Sequence, residues 1–463
     1  MGTPTSRRPR PGLVAARERL GLTQDQAAAA LGVATSTWAR WERGETDPRP
    51  EARAQLVDMF GVTPEEVERW IAGEDAQPPL PWLSSESCHM SLATTVEVAS
   101  ELWRWDVGID ASRRRILAAL PFVPAVLNEW LVSWAYDPPE LTLAHAGVGS
   151  AVGMDDVQRI REARQAFSTM DHQFGGGLVR PAVVDYLNTQ VTPLLAGTYT
   201  DKVGKELLTA AAGMTELAGW EAYDLGRHGL AQAHYGQALR LAKAADDPLT
   251  AAMVLAQLAQ QASDQRHPEA AIRLARAASQ AGEEAHACPR VRADLLVREA
   301  RATAVGVALA ETFDTYGAAR VHGLIGQAEQ AYAAANPDTD DEPAWAWALV
   351  PAEVTAGIGY CWRMIGEHTR AEACATQALR GFGAQFPRSV QFNTVNLAQA
   401  LIGQDELDAA LHHARAAVPM AQRLKSTRCT AKIRDFDRDL EPHAREPAVR
   451  EWRAHLRSEL SAA

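Results

Sequence analysis

Nowhere in the 463-residue chain is there an unbroken apolar run of about 18 residues, so no segment reads as a bilayer-spanning helix. The five cysteines, at 88, 288, 361, 374 and 429, are odd in number and never spaced C-x-x-C. That argues against a disulfide framework and for reduced, mostly buried thiols. Runs of Val, Ile, Thr and Tyr are scarce, which leaves little from which to build a sheet. Catalytic signatures are missing too: there is no G-x-S-x-G elbow, no G-x-x-x-x-G-K-[ST] phosphate loop and no H-E-x-x-H. The glycines at 175–177 run into Leu178-Val179-Arg180-Pro181 and read as a loop, not as a phosphate cradle. His412 and His413 are adjacent and point to different helix faces, while His286 and Cys288 lack further ligands nearby. Asp338 to Glu342 lacks the glycine and alternation of a calcium loop. The expectation is therefore a non-enzyme with no cofactor and no metal.

The first twenty residues hold arginines but no apolar core of signal-peptide length, and Arg113–Arg115 lie too deep in the chain for a twin-arginine signal. A basic linker helix and a cytoplasmic, nucleoid-associated protein are expected. What is abundant is alanine, in long stretches that favour helix nearly everywhere. Hydrophobic residues make up 47% and charged residues 22%, an ordinary globular balance, and the length calls for at least two domains. Residues 1–60 carry nine arginines against seven acids, whereas the remainder carries 37 basic against 51 acidic residues. An acidic bulk repels a phosphate backbone, so only the N-terminal segment suits nucleic acid. That face is weakly basic, which points to two copies acting together.

Residues 12–72 read as five short helices. The first is Leu13–Leu20, ended by Gly21. The second opens with Thr23 as N-cap and runs to Leu31. Gly32-Val33 makes a tight turn, because glycine takes positive φ at little cost. The third covers Thr35 to Arg43 and stops at Gly44; a fourth spans Glu51–Phe60 and a fifth follows Thr63-Pro64. Ala27, Leu31, Val33, Trp38 and Trp41 meet inside in this reading. The opposite face of helix three then offers Thr35, Ser36, Ala39 and Arg40 to a major groove.

The order L-T-Q-x-x-x-A-x-x-L-G-V-x-x-S-T-x-x-R-W-E-R-G resembles the lambda-repressor-like helix-turn-helix of the Xre family. Ala34, often Ser there, and Trp38, usually Ile or Val, depart from the pattern. The resemblance implies that Gln24 grips a phosphate and that Thr35, Ser36 and Arg40 face base edges, Arg40 reading guanine. It also implies that Thr37 and Arg43 touch phosphates and that Glu42 pairs inside the fold with an arginine such as Arg17. Arg7, Arg8 and Arg10 would form either a minor-groove arm or a solvated tail.

Residues 73–100, with Gly73, Pro78, Pro79, Pro81 and Ser84-Ser85-Glu86-Ser87, read as a linker. Trp82, Trp103, Trp105, Trp130 and Trp134 are expected to pack one domain on another. From about residue 205 the chain repeats itself. Gly219, Gly226, Ala231, Tyr235 and Ala238 recur at the same offsets as Gly359, Gly366, Ala371, Ala375 and Ala378. Ala259, Ala271, Ala275 and Ala278 give another unit, as do Leu397, Ala409, His413 and Ala416. Small residues at fixed offsets let antiparallel helices nest. These segments resemble tetratricopeptide repeats, with longer helices than that family's norm and degenerate units between about 288 and 335; residues 155–200 are helical without an obvious repeat. The whole chain resembles actinobacterial Xre regulators with a tetratricopeptide-like C-terminal half, and its likeness to peptide-sensing quorum regulators is architectural.

The expected fold is all-α: a five-helix lambda-repressor-like domain (1–73), connecting helices (74–150) and a helical-hairpin superhelix (151–463). Its concave wall would present Trp220, Tyr223, Gln257, Gln260, Glu353, Tyr360, Arg363 and Asn393 to a peptide or small-molecule effector. The expected partners are a double-stranded operator and a second copy of the chain. The alternative is an interaction adaptor whose helix-turn-helix docks protein and whose groove, taken as acidic, holds partner peptides.

Overall fold

The computed structural model describes residues 10–20, 22–71, 91–107, 117, 120–136, 143–147, 149–336, 338 and 340–461. Helices dominate it, and the one strand pair among these residues joins His145–Ala146 to Thr198–Tyr199, antiparallel. Arg7, Arg8, Gly21, Gly73, Trp82, Cys88, Arg113–Arg115 and the Pro- and Ser-rich stretch lie outside the described residues.

Five short helices open the fold: α1 (Pro11–Arg19), α2 (Gln24–Leu31), α3 (Thr35–Glu42), α4 (Pro50–Phe60) and α5 (Pro64–Ile71). Thr23 caps α2 in a reciprocal box, its hydroxyl accepting from Gln26 N–H at 3.2 Å while Gln26 Oε1 accepts from Thr23 N–H at 2.8 Å. Gly32, at φ 69°, turns the chain into α3. Trp38 and Trp41 on α3 are both buried, with ring centroids 5.9 Å apart, and Trp38 packs on Phe60 at 6.4 Å.

Helix α6 (Leu92–Val107) begins inside the segment read as linker, about eight residues before the end that composition implied. Trp105 near its end packs so closely on the α4–α5 corner that a Cβ at Gly61 would lie 2.7 Å from its ring. Helix α7 (Pro124–Tyr136) sets Trp130 against Gly236 in the same manner. Trp103, Trp105 and Trp130 are buried and Trp134 is half-buried, so the connector is docked on both sides.

Hairpins then follow in series. The first pairs α8 (Met154–Phe174) with α9 (Gly176–Tyr186), which a π-turn at Leu187–Val191 prolongs. Gly175 alone makes the turn, at φ 87°; Gly176 and Gly177 belong to the helix, correcting the loop reading of the triple glycine. A Cβ at Gly176 would lie 2.9 Å from the Glu221 backbone, so glycine is required there by close packing.

Next come α10 (Asp201–Asp224) with α11 (His228–Ala244), α12 (Pro248–Asp264) with α13 (Pro268–Glu284), and α14 (Pro289–Leu309) with α15 (Thr315–Ala333). After them stand α16 (Pro351–Met364) with α17 (His368–Gly381), α18 (Pro387–Ile402) with α19 (Leu407–Arg423), and α20 (Thr427–Asp439) with α21 (Pro447–Ser461). The 288–335 region is thus a regular hairpin despite its degenerate sequence, and 154–186 is another. Turns recur in one form. Gly226, Arg266, Gly366 and Asp405 adopt positive φ, and the next N–H bonds back five residues, as in Arg227 N to Ala222 O at 2.9 Å. Gly219 and Gly359 admit Tyr235 and Cys374 from the facing helix, where a Cβ would come within 2.8–2.9 Å.

The array curls until its end meets its beginning. Lys425 N–H donates to Phe174 O at 3.1 Å, Gly177 N–H donates to Lys425 O at 3.0 Å, and Ser426 Oγ donates to Asp224 Oδ1 at 2.8 Å.

Candidate nucleic-acid face and central cavity

Helix α3 is held from beneath by a buried carboxylate. Glu42, 5% exposed, accepts from Gln24 Nε2 at 2.6 Å and Trp38 Nε1 at 2.7 Å and pairs with Arg17, the partner named from the sequence. Charge-assisted bonds of this kind fix the angle between α2 and α3. The outer side of α3 presents Thr35, Ser36, Arg40 and Arg43, all exposed, with Thr37 half-buried. Ala39, assigned to that side from the sequence, is 9% exposed and packs inward. Gln24 is half-buried and has one amide N–H engaged by Glu42. Thr35 donates to Asp25. Arg43 pairs with Glu45 at 2.7 Å, and Arg40 stands 3.8 Å from the same carboxylate.

Arg10 is neither arm nor tail. It is 4% exposed and donates to the carbonyls of Trp41, Thr46 and Ile71 at 3.0, 2.9 and 3.1 Å, besides pairing with Asp47. Five donors in a planar fork suit such a rivet.

The second candidate region is a cavity of about 930 Å³ inside the curl, lined by the first helix of every hairpin. All eight residues named from the repeat offsets, Trp220, Tyr223, Gln257, Gln260, Glu353, Tyr360, Arg363 and Asn393, line it together. Tyr223 and Asn393 are buried and the other six half-buried. Its lining is not acidic: nine Arg and Lys side chains face seven carboxylates, against the acidic balance of the chain as a whole.

Most of those charges are paired across hairpins. Arg388 bridges Asp171 at 2.7 Å and Asp224 at 3.2 Å, joining residues 217 apart in sequence. Arg164 meets Glu216 at 2.9 Å and Arg301 meets Asp264 at 2.9 Å, while Arg298 meets Asp294 of its own helix at 2.7 Å. Burial alone would lift the Asp171 carboxyl, yet the Arg388 guanidinium holds it below the ordinary carboxylate range. Burial raises Glu353 and Glu216, which Ser389 and Arg164 respectively only partly offset.

Sequence reasoning missed Arg298, Arg301, Arg388, Arg428 and Lys432. Advancing the register of Gln257 and Gln260 by one hairpin would have reached Arg298 and Arg301; the 427–461 hairpin gave no repeat signal. Among the described residues no cluster of three or more His, Cys, Asp and Glu could hold a metal, and no helix is long and apolar enough to cross a membrane.

Residues 13–70 match the helix-turn-helix domain family. No curated protein matches the chain. Among solved structures, a Rap protein complexed with competence and sporulation factor is similar to it, at 13% identity and a TM-score of 0.41. The match covers 81% of this chain and 98% of that one.

Proposed function

We propose that this chain is a sequence-specific DNA-binding transcription regulator of the Xre type, acting as a homodimer. Residues 1–73 form the reader, 74–150 the connector and 151–463 the sensing domain. In this reading the central cavity takes a peptide, small-molecule or protein signal that alters operator binding.

The observation that carries the reading is the outer side of α3. Thr35, Ser36, Arg40 and Arg43 are exposed on a helix whose inner side is fixed by Trp38, Trp41 and the Glu42 network. Arg40 reads guanine, Thr35 and Ser36 face neighbouring base edges, and Gln24, Thr37 and Arg43 hold phosphates. Two copies are needed because one weakly basic face binds poorly, and their recognition helices must lie about 34 Å apart. The family match over residues 13–70 supports the same reading.

The test is pull-down of fragmented genomic DNA by the full-length protein, with Arg40→Ala alongside. A discrete palindrome should be enriched, and Arg40→Ala should weaken binding to it by about 1–3 kcal/mol without changing the fold. Equal binding of all fragments, or an unaffected Arg40→Ala variant, refutes the assignment.

A further inference from the structure

Tyr360, on α16, is the meeting point of three cations from three hairpins. Arg301 Cζ of α14 lies 3.9 Å from the ring centroid, Arg363 Cζ of α16 lies 5.1 Å away, and Lys432 Nζ of α20 lies 5.3 Å away. All four side chains line the central cavity. Elsewhere on that wall Arg164, Arg298 and Arg388 each have a carboxylate within 2.7–2.9 Å, and Arg266, which has no such partner, is solvent-exposed. Here the accounting differs. Asp264 answers Arg301 at 2.9 Å, but among the described residues no carboxylate comes within 4 Å of Arg363 or Lys432. Arg363 Nε is moreover buried with no acceptor, its guanidinium reaching only Met364 Sδ at 3.4 Å. Like charges gathered without counter-charge are costly in a poorly solvated space, and an aromatic face offsets only part of that cost.

We propose that Arg363, Lys432 and Arg301, arranged around Tyr360, form a subsite for the anionic group, carboxylate or phosphate, of an organic ligand. The inference rests on the cavity being a ligand site; it does not depend on DNA binding. Burial, followed by the two neighbouring guanidiniums, pulls the Lys432 ammonium down to about 7, with Asp435 and Asp264 opposing. A bound anion would relieve that strain on the charged form. On α18, which comes between α16 and α20 in the series, Asn393 is 1% exposed and lines the same cavity with both its amide N and O unpartnered, and Asn396 Oδ1 is unpartnered too. These amides supply a donor and acceptors for the neutral, polar part of the same ligand. The volume, about 930 Å³, suits an organic molecule larger than a simple ion.

Titration calorimetry on the full-length protein tests this with two probes, pyrophosphate and citrate. Saturable binding of at least one is expected; preference for pyrophosphate assigns a phosphate ligand, preference for citrate a carboxylate. Arg363→Gln and Lys432→Gln should each weaken it about tenfold or more. Lys432→Arg should restore it, and Arg415→Gln, on the exposed side of α19, should leave it unchanged. Circular dichroism checks that each variant folds, and Lys432→Arg keeps the test open should a neutral variant fail. No saturable binding of either probe overturns the proposal, as does equal loss in Arg415→Gln or none in the two glutamine variants. Anion binding retained by a protein that enriches no operator would sink the regulator reading alone.

Discussion

Replacing Glu42 by alanine should unfold the helix-turn-helix while the hairpin array stays folded. The carboxylate is 5% exposed and receives Gln24 Nε2, Trp38 Nε1 and the Arg17 guanidinium. Truncation leaves Trp38 Nε1, on a fully buried ring, without an acceptor. It also leaves Arg17 with only Leu22 O at 2.8 Å and the exposed Glu18 at 3.3 Å. Removing one side of a buried ion pair costs about 3–5 kcal/mol. A segment of roughly 60 residues holds about 3–9 kcal/mol in all, so the loss takes a third of its stability at the least and can take all of it. Hydrogen exchange resolves the effect locally: amides of 24–60 should lose protection while those of 201–439 keep theirs. Glu42→Gln, which retains an acceptor for Trp38 but turns an NH2 toward other donors, should fall between. If Glu42→Ala lowers protection across 24–60 by less than about 1 kcal/mol, the carboxylate does not hold α3 and the reasoning fails.

Two further outcomes follow from other carboxylates, one beside the recognition helix and one buried in the hairpin array. Glu45 pairs with Arg43 at 2.7 Å and stands 3.8 Å from Arg40, so Glu45→Gln should free both for phosphate; gel shifts at two salt concentrations should show tighter non-specific binding with a steeper salt dependence, and identical slopes would contradict this. Glu221 is fully buried with neither carboxylate oxygen partnered, and burial, then Asp171, raises its carboxyl well above 4.5. A raised folded-state value means that its stabilising contribution is complete below 4.5 and is lost as pH climbs through the folded value. Glu221→Gln should therefore gain in melting temperature over the parent as pH rises from 5 to 8; a difference that stays constant with pH would rule the assignment out.

The parts legible in the sequence are those specified locally. Thr23 and Gln26 sit three residues apart, Gly32 takes the left-handed turn, and Trp38 and Trp41 share one side of α3, so each signal lies within a single turn or cap. The eight cavity residues were legible because a repeat converts sequence offset into position along a wall. Arg10 was not, since its acceptors at 41, 46 and 71 become neighbours only once the five helices have packed. The Arg388–Asp171 pair was hidden for the same reason, at a separation of 217 residues, and with it the closure of the array into a curl. The 289–333 hairpin read only as degenerate units because Val and Leu, not glycine, fill its core beside the alanines. Tertiary packing settled what composition left open there.

A cavity ligand can shift operator binding only if the two regions share an element with two arrangements, each binding the ligand differently. The contacts offer one contiguous route. Arg388, on the cavity wall, holds Asp171 and Asp224, and Asp224 Oδ2 accepts from Gly176 N–H at 3.2 Å at the start of α9. One turn on, Arg180 pairs with Asp106 at the end of α6, which also accepts from His234 Nε2 at 2.6 Å; the adjacent Trp105 presses on Gly61 beneath the reader domain. Burial works against the Asp106 charge, but Arg180 and His234 hold its carboxyl far below the ordinary range, so it stays ionised and keeps both partners at neutral pH. A double-mutant cycle measures the coupling along this route. Arg388→Gln should alter hydrogen exchange at 56–62 in the parent protein. The same substitution in an Asp106→Asn background should leave those amides at the Asp106→Asn level. Strictly additive changes would mean that α6 carries nothing between cavity and reader, and the signal would then have to travel by another path or not at all.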